Sequence, residues 1–138
     1  MNYSSIKDDI TNLLLGCSQK RHEQKKHPFT VIVEGNIGAG KSSFLKQFKE
    51  SKIIEICQEP IQKWKNVGGE NLLQNMYLNP KKYGHQFQSY VQLCMLENHV
   101  KIGHKQVKLM ERSIYSSQYI FSNNLYKSSF LTGSEYEV

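Results

Sequence analysis

The chain has 138 residues, 38% of them hydrophobic and 22% charged, with a formal net charge of +6. That is one domain's worth of sequence with enough apolar content for a core, and no apolar run comes near the roughly 20 residues that cross a bilayer. Lysines and arginines are spread along the chain, so the positive balance argues against a nucleic-acid or membrane partner and suits a protein that handles phosphates.

Residues 1–27 read as a short helix around Asp8–Leu15 followed by a basic tether that ends in KRHEQKKH, Lys20 to His27. The apolar run Leu13–Leu15 is too short for a secretion signal, and Asp8 and Asp9 weaken a mitochondrial presequence. Cys17, Cys57 and Cys94 form no C-x-x-C pair, which argues against a disulfide framework or a zinc site and fits a reducing compartment. The expected location is cytoplasmic, with the mitochondrion as the alternative.

Residues 28–138 read as one α/β domain. Phe29–Glu34 is β-branched and apolar on both faces, which predicts a buried strand. Ser42–Glu50 has helical spacing with Phe44, Leu45 and Phe48 inward, and Ile53–Ile56 is a second strand. Glu59-Pro60 opens a loop, because the residue before a proline avoids helical angles. Gly69–Leu78 is a short helix ended by Asn79-Pro80, and Lys82–Val100 a long one with Tyr83, Phe87, Tyr90, Val91, Cys94 and Met95 inward. Val107–Met110 is a third strand, Ile114–Tyr126 another helix, and Phe130–Val138 a turn. Strands alternating with helices predict a parallel sheet with flanking crossover helices.

The junction of the first strand and helix reads VIVEGNIGAGKSSF and contains the G-x-x-x-x-G-K-[ST] phosphate loop: Gly35, Asn36, Ile37, Gly38, Ala39, Gly40, Lys41 and Ser42, followed by Ser43. Glycines let backbone N–H groups turn toward an anion, Lys41 supplies a point charge, and the Ser42 hydroxyl can reach Mg²⁺. The expected ligand is a nucleoside triphosphate. No Asn-Lys-x-Asp guanine motif is present. The third strand runs into Glu111-Arg112-Ser113, at the carboxyl edge where α/β sheets bind ligands. There Glu111 could support Mg²⁺, and Arg112 could hold a phosphate or orient a carboxylate. ICQEPIQKW places Glu59 just past the second strand, where a carboxylate could take a proton from an attacking hydroxyl, with Trp64 close behind to wall off an aromatic ligand. Taken singly, Glu111-Arg112 fits an exposed ion pair at least as well, and without the glycine loop Glu59 and Trp64 fit a capping glutamate and a core tryptophan better.

Taken together, EGNIGAGKS, EPIQKWKNVGG, NLLQNMY, FQSYVQLCML and MERSIYSSQYIFSNNLY resemble the deoxynucleoside kinase family, in its mitochondrial thymidine kinase and insect multisubstrate branch, from about Phe29 to Tyr126. The resemblance implies a P-loop kinase fold and transfer of the ATP γ-phosphate, with Mg²⁺, to the 5′-hydroxyl of a pyrimidine deoxynucleoside. It makes Glu59 the general base, with Arg112 holding Glu59 and the reacting oxygen. Gln88 would pair with the base edge, Trp64, Phe87 and Phe121 would sandwich the ring, Met76, Val91 and Met95 would shape the pocket, and Tyr77 would bond the 3′-hydroxyl. Lys41, Ser42 and Glu111 would serve the phosphates and the metal. Met95 and Ser117, without the charged pair of the deoxycytidine kinase pattern, tilt the reading toward thymidine and broad pyrimidine use. A homodimer through the helices around Met76–Val100 is likewise implied. Gln118 departs from the arginine usual there. The family's arginine-rich lid and two further strands do not follow, so the expected domain is truncated after the third strand and its helix, with the first strand left at the sheet edge and the active site compromised. Two other readings stay open: a non-catalytic nucleoside-binding fragment, and another P-loop nucleotide kinase.

Overall fold

A computed structural model describes Asp8, Thr11, Asn12 and residues 28–137. Asp8, Thr11 and Asn12 are helical; the rest of the expected N-terminal helix, Cys17 and the basic tether lie outside the described residues. The chain groups into two compact units, one of Met1–Gln58 with Lys101–Arg112, the other of Glu59–Val100 with Ser113–Val138.

The first unit is a parallel sheet of β1 (Phe29–Val33), β2 (Ile54–Cys57) and β3 (Val107–Glu111) in the order β1-β3-β2. Helix α1 (Lys41–Lys46) follows the loop after β1. The two-residue alternation of strands turns Phe29, Val31, Val33, Val107, Leu109, Ile54 and Ile56 to one face, where they pack with Leu45 and Phe48. The opposite register carries Thr30, Ile32, Lys108, Met110, Glu55 and Cys57.

The fully buried strand is β3, with all five residues inside, and not β1 as its composition suggested. Thr30 and Ile32 of β1 are exposed, and β1 pairs on one side only among the described strands. Burial follows position in the sheet: VKLME carries two charges yet lies in the middle, because β1 and β2 both pair with it. Its Lys108 is 2% exposed and donates its ammonium to the Lys101 carbonyl at 2.8 Å, a polar partner that makes such burial tolerable. The edge position expected for β1 is observed. Helix α1 is shorter than expected, giving way to turns from Gln47 to Glu50.

The second unit is helical: α2 (Ile61–Trp64), α3 (Leu72–Leu78), α4 (Pro80–Val100) and α5 (Ile114–Ser116), then a π-helical stretch, Ser117–Ser122, α6 (Asn123–Lys127) and α7 (Gly133–Glu137). Asn71 caps α3, its side-chain oxygen accepting the Gln74 N–H at 3.0 Å. Pro80 opens α4 instead of preceding it, since a first-turn residue has no use for an N–H. The core joins Trp64, Met76, Phe87, Val91, Cys94 and Met95. Two expectations are corrected here. The loop after Pro60 contains the single turn α2, and the turn expected over Phe130–Val138 contains α7, whose start is pinned by Thr132: its N–H and hydroxyl both donate to the Glu135 carboxylate.

Candidate active site

In the first unit, the glycine-rich loop leaves β1 and enters α1. Gly38 and Gly40 have φ of 78° and 81°, a left-handed backbone in which any side chain is strained. Gly40 sits directly before α1, so that turn lets the strand hand over to the helix without a break. Lys41 is buried, and its ammonium donates to the Asn36 carbonyl at 2.7 Å, folding the side chain back over its own loop. An incoming anion has only to exchange one acceptor for another.

The end of β3 meets this loop twice. Glu111 pairs in register with Val33, so its carboxylate lies on the α1 face and accepts the Ser42 hydroxyl at 2.6 Å. The Arg112 N–H continues the ladder to the Val33 carbonyl at 3.0 Å, after which the chain turns: Arg112 has φ of 59°, rare for a long side chain, at a cost of about 1–3 kcal/mol. From that turn its guanidinium donates to the Gly35 carbonyl at 3.1 Å. The structure thus brings together Gly35, Asn36, Lys41, Ser42, Glu111 and Arg112. The adjoining hydroxyl and carboxylate oxygens of Ser42 and Glu111 are the donor set a small hard cation such as Mg²⁺ prefers.

In the second unit, Trp64, Met76, Phe87, Val91 and Met95 meet in one cluster. Trp64 and Phe87 touch edge to face, with ring centroids 5.9 Å apart at 83°. The Trp64 indole Nε1 is buried with no hydrogen-bond partner among the described residues. Gln88 is buried too, and its side-chain oxygen accepts the Ser117 hydroxyl at 3.3 Å. Phe121 is half-buried, whereas Tyr77 stands outside the cluster at 66% exposure. Glu59 is half-buried just ahead of α2, its carbonyl accepting the Ile61 N–H at 2.9 Å. Beyond it in sequence, Ser113 caps α5 by a reciprocal pair with Ser116.

A cavity of about 370 Å³ in this unit is lined by His85, Gln88, Gln92, Leu96, Ile114 and Tyr136, among others. Gln92 donates its amide to Gln118 at 3.2 Å, so Gln118 has an amide partner. The His85 Nδ1 lies 3.2 Å from the Glu135 carbonyl. Sequence reasoning missed this cavity because part of its wall belongs to α7. The helical spacing of His85, Gln88, Gln92 and Leu96, a stripe beside the core stripe of α4, is the signal that could have found it.

Glu55 of the first unit has a backbone N–H and an ammonium as partners. Burial pushes its carboxyl up, but the His104 N–H at 2.9 Å and the Lys101 ammonium at 3.5 Å outweigh burial and hold it below the usual carboxylate range. Burial pushes the Cys57 thiol up, which keeps it protonated at neutral pH. In the second unit, Lys63 is raised by its hydrogen bond to Glu97, an exposed ion pair between α2 and α4.

A model of the family "Deoxynucleoside kinase" matches residues 31–138. Human "Thymidine kinase 2, mitochondrial" is 41% identical over 118 residues, covering 86% of this chain and 44% of that protein. The Macaca fascicularis protein of the same name is 43% identical over 121 residues, covering 88% and 45%. Mouse "Deoxycytidine kinase" is 36% identical, covering 78% and 50%. The chain spans about half the length of the curated relatives it matches.

Proposed function

The chain belongs to the deoxynucleoside kinase family, and from that premise we propose that it serves transfer of the ATP γ-phosphate to the 5′-hydroxyl of a pyrimidine deoxynucleoside, thymidine first. One observation carries the reading: the Ser42 hydroxyl and the Glu111 carboxylate, 69 residues apart, meet at 2.6 Å beside the glycine loop. A tight turn with an incidental lysine has no need of that contact.

In this reading backbone N–H groups from Gly35 to Ser43 surround the triphosphate, and Lys41 gives up the Asn36 carbonyl for the outer phosphates. Ser42 and Glu111 hold Mg²⁺, which neutralises phosphate charge when bound. Glu59 takes the 5′-hydroxyl proton, the freed oxygen bonds to the γ-phosphorus, and the bridging bond to the β-phosphate breaks, its electron pair leaving with ADP. Arg112 holds the reacting groups. Gln88 offers an amide edge, one donor and one acceptor, which suits pyrimidines. Trp64, Phe87 and Phe121 supply aromatic faces, and Met76, Val91 and Met95 set the pocket's width. Tyr77, 66% exposed, would hydrogen-bond the sugar's 3′-hydroxyl. The relatives' names support pyrimidine substrates, and Ser117 with Met95 favours thymidine.

The test is turnover of ATP with thymidine by the 138-residue chain, alongside calorimetry with thymidine alone. Transfer of labelled phosphate to thymidine supports the reading, and absence of both turnover and binding defeats it. A second reading is favoured by the edge of β1 that pairs with no described strand, where Ile32 is 38% exposed: a non-catalytic nucleoside-binding chain that pairs with another polypeptide along that strand. Thymidine binding without turnover supports that one. A third, a P-loop kinase of another nucleotide, fails if Gln88→Ala abolishes thymidine binding. Cytoplasmic residence is part of the proposal, the mitochondrion being the alternative that two relatives' names suggest; imaging of a tagged chain distinguishes them.

A further inference from the structure

Strand geometry makes the arrangement of Glu111 and Arg112 unusual. Successive strand residues point to opposite faces of a sheet, so two neighbours at a strand end should not both reach one loop. Here both do: Glu111 holds Ser42 at the loop's helical end, and Arg112 holds Gly35 at its strand end. The difference lies in the backbone. Arg112 keeps its ladder bond to Val33 and then turns at φ of 59°, which swings its side chain out of the alternation.

We propose that Arg112 is a positioning residue of the phosphate loop, pinning the Gly35 carbonyl while Glu111 holds Ser42, and that its left-handed backbone is kept for that purpose. The idea rests on the loop binding nucleotide phosphates and adds a task to those the family resemblance gives this arginine. Its physical reason is electrostatic. A glycine-rich loop can rotate its peptides, and a carbonyl that swings inward puts a partial negative charge against the phosphates. A carbonyl held by a guanidinium stays where it is. Lys41 cannot do this job, because its bond to Asn36 is the one a nucleotide replaces.

The test is calorimetry with Mg-ATP, with no nucleoside present, on the wild-type chain and on Arg112→Ala, Arg112→Lys and Arg112→Gly, together with thermal melting of each. Loss of one charge-assisted hydrogen bond predicts about tenfold or greater loss of ATP affinity in the alanine and glycine variants. Lysine, with charge but no fork, recovers part of it. Glycine adopts φ of 59° without strain, so Arg112→Gly melts above Arg112→Ala while binding ATP as poorly. That combination excludes misfolding as the cause. ATP affinity within about twofold of wild type in well-folded Arg112→Gly overturns the proposal, since a factor that small is worth well under 1 kcal/mol. A wild-type chain with no ATP affinity overturns the phosphate-loop reading itself, and this inference with it.

Discussion

Glu111 carries one formal charge at the end of a buried strand, and the Ser42 hydroxyl is its partner. Replacing it by glutamine keeps an acceptor for that hydroxyl and removes only the charge. Glu111→Gln is therefore expected to weaken Mg-dependent ATP binding by about tenfold, a typical effect of altering a metal's supporting carboxylate. Affinity measured with EDTA present should stay unchanged, and calorimetry with and without the metal checks both. The residues of the glycine loop were legible in the sequence because each letter there is itself the chemistry: a glycine for the turn, a lysine for the charge, a serine for the hydroxyl. Arg112 was legible as a candidate but not in its backbone. Nothing in M-E-R-S-I announces a φ of 59°, because a left-handed arginine is set by the surrounding contacts and not by its own preference.

At the level of elements, burial was the hardest property to read. FTVIV looks more interior than VKLME, yet among the described strands β3 has a neighbour on each side and β1 only one. Neighbours are a long-range property, absent from any local pattern. Leu109, 2% exposed in the middle of β3, is accordingly costly to trim; Leu109→Ala should lose about 2–5 kcal/mol in urea unfolding. The inward faces of α1 with the turn after it and of α4, by contrast, were readable, since Leu45 and Phe48, and Phe87, Val91, Cys94 and Met95, recur at helical spacing. The short helices α2 and α7 were not, being too brief to show any period. Glu55 adds a pH dependence to β2. Its carboxyl is held below the usual range in the folded chain, so its contribution is complete above the ordinary carboxylate range and disappears as pH falls through the folded value. Wild type should melt above Glu55→Gln at neutral pH, and the two curves should converge in acid.

The molecule as a whole carries a net charge of +6, and the proposed ligand is a polyanion. Raising the ionic strength from about 0.05 to about 0.5 M shortens the screening length to a few ångströms and should weaken ATP binding several-fold. Thymidine, being neutral, should bind equally well at both concentrations; titrations at the two salt levels check the contrast. The same molecule-wide view gives the strand order a meaning for synthesis. β1 and β2 do not pair with each other; each pairs only with β3 among the described strands. While the ribosome is still decoding residue 100, Phe29–Val33 and Ile54–Cys57 are both made and neither has a partner. The sheet can close only when Val107–Glu111 clears the exit tunnel, so until then the nascent chain exposes two sticky apolar segments that invite a chaperone.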